Sequence, residues 1–117
     1  MERIYSINEI ASLVAPVASA YGVERIMLFG SYARGEARLN SDIDLRIDEG
    51  AIKGYFRLAG FYREIEEKFS IPVDVLTTGA LSNEFLERIK KDEVILYELL
   101  PKISPMQRQE QSPCPTI

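Results

Sequence analysis

Residues 23–29, Val-Glu-Arg-Ile-Met-Leu-Phe, are a short apolar run closed by Gly22 on one side and Gly30 on the other. A bounded run of that length reads as a buried strand. After Gly30-Ser31 and ten further residues comes Asp42-Ile43-Asp44-Leu45-Arg46-Ile47-Asp48. Its period of two makes a half-buried strand, with Ile43, Leu45 and Ile47 on one face and Asp42, Asp44, Arg46 and Asp48 on the other. Any fold for this chain must therefore seat two carboxylates side by side. At ~4 Å and an effective dielectric of ~20 they repel by about 4 kcal/mol, so they take up a proton, stay solvated or share a cation. Alone, such a face is as often plain solvated surface as a site. The reading that does chemistry is a divalent cation: hard oxygen donors suit magnesium, with manganese the alternative, and magnesium often takes one or two carboxylates plus phosphate oxygens.

Gly30-Ser31 supplies the phosphate end of such an arrangement. A glycine lets backbone approach an anion closely, the Ser31 hydroxyl donates a hydrogen bond, and a short helix over residues 31–37 would aim free N–H groups at the same place. Arg34 adds a cation, although pairing with Glu36 is nearly as good a use for it. If the strand ending at Gly30 runs antiparallel to the one starting near Asp42, glycine and acids meet at one sheet edge.

The rest of the pattern supports a mixed α/β fold, a small sheet flanked by helices. Ser6 and Glu9 match a capping box, and Ile10, Leu13, Val14, Val17 and Tyr21 follow at helical spacing up to Gly22, with a kink or break expected at Pro16. A second helix is expected over residues 51–69, its stripe of Leu58, Phe61, Tyr62, Ile65 and Phe69 facing the core. The aromatics Tyr55, Phe56, Phe61, Tyr62 and Phe69 are read as core rather than as a base-stacking platform. Residues 71–76 read as a third strand, and a shorter helix is expected over 82–91. Residues 94–97 fit either a last strand or a continuation of that helix. A strand–helix–strand crossover makes the second and third strands parallel, which carries Asp74 to the side of Asp42 and Asp44.

One domain over residues 1–100 is expected, followed by a proline- and glutamine-rich tail, 101–117, expected to be disordered. Histidine is absent and Cys114 is the single cysteine. Ser-His and Cys-His nucleophile pairs, imidazole ligands and zinc-thiolate sites are therefore excluded within the chain. A net charge of −4 argues against broad nucleic-acid binding. No apolar stretch approaches bilayer-spanning length and no secretory leader is evident, so a cytoplasmic location without membrane association is the expectation.

Gly30-Ser31, the later Asp42-x-Asp44, Ala33-Arg34-Gly35 and Ser41 between them, and Val73-Asp74-Val75 beyond resemble the nucleotidyltransferase superfamily that includes DNA polymerase beta. The resemblance covers roughly residues 6–98 and is strongest to the minimal nucleotidyltransferases, the antitoxins of MNT/HEPN toxin–antitoxin pairs. It implies a polymerase beta-like core and transfer of AMP from ATP to a hydroxyl, in first place a tyrosine, of a HEPN toxin partner. It further implies that Asp42, Asp44 and Asp74 hold two magnesium ions and act in catalysis, that Gly30 and Ser31 hold the triphosphate, and that Arg34 touches phosphate. Arg46 departs from the family pattern, which is more often apolar at that strand position. Two other readings stand beside this one: a non-catalytic module that silences its partner by binding, alone or in a homo- or hetero-oligomer, and an antibiotic-type small-molecule adenylyltransferase.

Overall fold

The computed structural model describes residues 3–99. Ser6 caps the first helix, α1 (Ile7–Tyr21), through a reciprocal capping box: its Oγ accepts from the Glu9 amide and the Glu9 carboxylate accepts from the Ser6 amide. These bonds satisfy backbone donors that a helix start otherwise leaves open. Gly22, at φ 75°, ends the helix in the left-handed conformation that costs a residue without a Cβ least. Pro16 does not break α1. Proline there removes one bond to the carbonyl four residues back, but Pro16 and Ser12 both lie on the exposed side, where water can serve that carbonyl.

The chain continues through β1 (Arg25–Phe29), β2 (Ile43–Asp48), α2 (Tyr55–Glu67), β3 (Val73–Thr77), a single 3-10 turn (Thr78–Ala80), α3 (Asn83–Lys90) and β4 (Val94–Glu98). The four strands form one sheet in the order β3-β2-β1-β4. β2 runs antiparallel to β1 and parallel to β3, and β4 runs antiparallel to β1. Residues 94–97 are thus strand, not helix. The expected helix at 51–69 begins later, at Tyr55, after Gly54 at φ 81°.

The strand alternation sorts the faces as the pattern demands. Ile26, Leu28, Ile43, Leu45 and Ile47 are wholly buried, together with Ile10 and Val14 of α1 and Phe61 and Ile65 of α2. Burying each such side chain contributes roughly 1.5–3 kcal/mol. Phe69 is buried too and Tyr62 half-buried, but Tyr55 and Phe56 are 89% and 94% exposed, which corrects their assignment to the core. They occupy the first turn of α2, before the helix meets the sheet. Among the described residues no helix is long and apolar enough to cross a membrane. The expected tail, 101–117, lies outside the described residues.

Candidate active site

The β1–β2 register sets Phe29 opposite Asp44, so the residue after the strand, Gly30, lies directly over the Asp44 side chain. Gly30 adopts φ 78°, and a Cβ placed on it would run into the Asp44 carboxylate oxygen. Position 30 therefore favours glycine for its backbone angle, and any side chain there would displace the Asp44 carboxylate. The β2–β3 register pairs Asp44 with Asp74 across the parallel ladder. Asp42 stands just before β2 and is exposed, Asp44 is half-buried and Asp74 is exposed.

Residues 31–35 do not form the short helix expected over 31–37; they make one hydrogen-bonded turn. The Arg34 amide donates to the Gly30 carbonyl at 3.1 Å, the Glu36 amide to Ser31 at 2.9 Å and the Gly35 amide to Tyr32 at 3.3 Å, with Gly35 left-handed at φ 74°. That bond pattern is a helix C-terminus arriving after one turn: the left-handed glycine closes it before it can propagate. The turn is pinned inward by Tyr32, which is buried and whose hydroxyl accepts from the Tyr5 amide. Ser41 closes the entry to β2, its Oγ accepting from the Arg38 amide at 2.8 Å and its own amide donating to the Arg38 carbonyl at 3.0 Å. Ala33 sits in the same turn, half-buried against the core.

Electrostatics single out Asp44. Its carboxyl is pushed up from the ordinary 3.8 to about 6, first by burial, then by Asp74 and Asp42, while Arg34 pulls it down. All four groups therefore act on one small region. Arg34 is itself paired, Nε to Glu36 at 3.0 Å and Nη1 to Asp92 at 3.9 Å.

Among the described residues no group of three or more Asp, Glu, Cys or His side chains is placed to hold a metal ion. A magnesium ion that keeps several waters and takes one or two carboxylates along with phosphate oxygens asks for less. Asp44, destabilised as an anion first by burial and then by two carboxylate neighbours, is suited to sharing such a cation.

Arg46 reads from its sequence position as an outward strand residue, yet it is 7% exposed. Its guanidinium donates as a fork to Glu93, with Nη2 to Oε1 at 2.7 Å, and Nη1 donates to Thr78 Oγ1 at 2.7 Å. Glu93 was not visible as a partner in the sequence; the one signal was a charge at a strand position where the family is usually apolar.

A mixed sheet with helices on its apolar face and acids gathered beside a tight glycine turn at one strand end is the core of a nucleotidyltransferase. The comparison with known families agrees. The chain belongs to the polymerase beta nucleotidyltransferase family, whose model, "Polymerase beta, Nucleotidyltransferase", matches residues 13–100. A curated relative from Methanocaldococcus jannaschii, named as a candidate protein adenylyltransferase, is 37% identical over 76% of this chain and 96% of its own length. Among solved structures, a toxin–antitoxin complex with AMP-PNP superposes with a TM-score of 0.64 at 17% identity, covering 77% of this chain and 74% of that one. A tri-AMPylated HEPN toxin of Shewanella oneidensis in complex with its MNT antitoxin gives 0.60 at 14% identity, covering 80% and 73%. At those identities the two structures speak for the fold.

Proposed function

We propose that residues 1–100 form a magnesium-dependent adenylyltransferase domain that moves AMP from ATP to a hydroxyl, in first place a tyrosine, of a HEPN toxin, and so acts as its cytoplasmic antitoxin. The single observation that carries this reading is the placement of Asp44 beside Asp74 in the parallel ladder and directly under the Gly30 turn. The protein adenylyltransferase name of the relative and the AMPylated HEPN complex among the fold neighbours favour AMP and a protein acceptor.

In this reading Asp42 and Asp44, with Asp74 at their side, hold the magnesium. When bound, that metal neutralises phosphate charge and polarises the α-phosphate. Gly30 lets the triphosphate approach backbone, the Ser31 hydroxyl donates to it, and Arg34, bonded through Nε to Glu36, offers the rest of its guanidinium to phosphate oxygen. The acceptor oxygen attacks the α-phosphorus from the side opposite the bridging oxygen. A new phosphorus–oxygen bond forms, the bond to the bridging oxygen breaks, pyrophosphate leaves, and the hydroxyl proton passes to Asp74.

The test mixes the chain with ATP, magnesium and the HEPN protein and weighs both proteins intact. A gain of one or more AMP units on the HEPN protein, lost in Asp42→Ala/Asp44→Ala, is the expected result. An unchanged mass with toxin neutralisation preserved in that double variant replaces the enzyme by a non-catalytic binding module. AMP appearing on an antibiotic supplied in a parallel reaction, with the HEPN protein unmodified, makes the chain a small-molecule transferase.

A further inference from the structure

We propose that Arg46 and Glu93 are positioning residues that hold the chain between α3 and β4 as a strap, and that this strap sets the place of Arg34 beside the triphosphate. The inference rests on the nucleotide site proposed above.

Two adjacent acids of the α3–β4 connection face two different arginines. Glu93 takes the fork of Arg46 from the middle of β2, and both side chains are only 9% exposed. Asp92, next in line, lies 3.9 Å from Arg34 Nη1, on the turn that follows Gly30. Glu36 takes Nε of the same guanidinium from the other side. Arg34 is thereby hydrogen-bonded through Nε and within ion-pair range of Asp92 through Nη1, and it is the cation that acts on Asp44.

A guanidinium on a long flexible stem, half in solvent, loses rotamer freedom whenever it meets a phosphate. Holding it beforehand reduces that loss. What holds it is only as firm as Asp92, a half-exposed residue just past the end of α3. The buried Arg46–Glu93 fork ties that point to the strand that carries Asp44. Thr78, accepting from Arg46 and donating to the Asp48 carboxylate at 2.6 Å, locks the fork on its other side. α3 is held down along the same face by Phe85, whose ring meets Phe29 edge-on at 5.9 Å.

The experiment measures the affinity of magnesium AMP-PNP by calorimetry in the full chain. Arg46→Leu/Glu93→Leu removes the fork without changing net charge or leaving a buried ion alone, and is expected to weaken binding about three- to tenfold. Arg34→Ala is expected to weaken it about tenfold, and adding it to the double variant should cost little more, because both changes remove one contribution. Asp92→Asn keeps the size and shape of a half-exposed side chain, so the fold tolerates it. Loss of an acid near an anion would by charge alone tighten binding, so weaker binding in Asp92→Asn identifies the strap. Unchanged affinity in the double variant, full additivity with Arg34→Ala, or tighter binding in Asp92→Asn overturns the proposal while the function stands. A wild-type chain that binds no nucleotide removes both.

Discussion

Asp44 carries the strongest consequence of a single residue in this chain. Its folded carboxyl titrates at about 6 against an ordinary 3.8, so between those values the folded state holds more protons than the unfolded one. Stability then falls as pH rises through that window. The stabilising contribution is fully present below the unfolded value and is lost as pH climbs past the folded one. After allowance for its half-exposed position, the metal-free chain should be about 1–2 kcal/mol less stable at pH 7 than at pH 4 on account of this group. Denaturant melts at the two pH values measure it, and Asp44→Asn should flatten the slope while abolishing AMP transfer. Gly30→Ala tests the neighbouring position. Its left-handed backbone alone costs about 1–2 kcal/mol, and the added methyl pushes on the Asp44 carboxylate, so transfer should fall more steeply than melting temperature. Gly30, Ser31, Asp42 and Asp44 were legible in the sequence because glycine at a strand end and acids at period two are local signals. The Arg46–Glu93 fork was not, since its partners are separated by 47 positions and only the fold brings them together.

The helices and turns follow local chemistry unevenly. Ser6 with Glu9, and Gly22 after Tyr21, bound α1 where the spacing indicates, because caps act within a few residues. Pro16 was expected to kink or break that helix, and the exposure of its missing bond explains why the helix runs on through it. Pro16→Ala restores the bond to Ser12 and should stabilise the protein by about 1–3 kcal/mol, read as a rise in the denaturant midpoint. The turn at 31–35 shows the reverse case. Its residues permit a helix, but Gly35 ends it after one turn, and the buried Tyr32 fixes where that turn sits. Tyr55 and Phe56 read as core from their aromatic character, but Gly54 delays the start of α2 and they fall on its exposed first turn.

Across the whole molecule a polar belt runs over the sheet face opposite the main core. Glu98 and Arg25 pair across β4 and β1, Arg25 Nε donates to Asp48 at 2.9 Å, Thr78 joins Asp48 to Arg46, and Arg46 ends on Glu93. Every strand of the sheet is tied to the belt directly or through the 3-10 turn after β3. Arg46→Leu alone leaves Glu93 buried without its partner and should cost about 3–5 kcal/mol, whereas Arg46→Leu/Glu93→Leu should be neutral or stabilising, with thermal melts separating the two. The sequence by itself determined the parts that local rules govern: the strand faces, the helix caps, and the glycine and acids whose spacing marks the family. It also indicated, through the handedness of a strand–helix–strand crossover, that β3 would lie parallel to β2 with Asp74 beside Asp44. Only the tertiary structure decided that β4 pairs with β1, that the 31–35 segment stops after one turn, and that Arg46 is buried against Glu93. These outcomes depend on which distant surfaces meet, and a buried charge is tolerated only where its partner arrives from elsewhere in the chain.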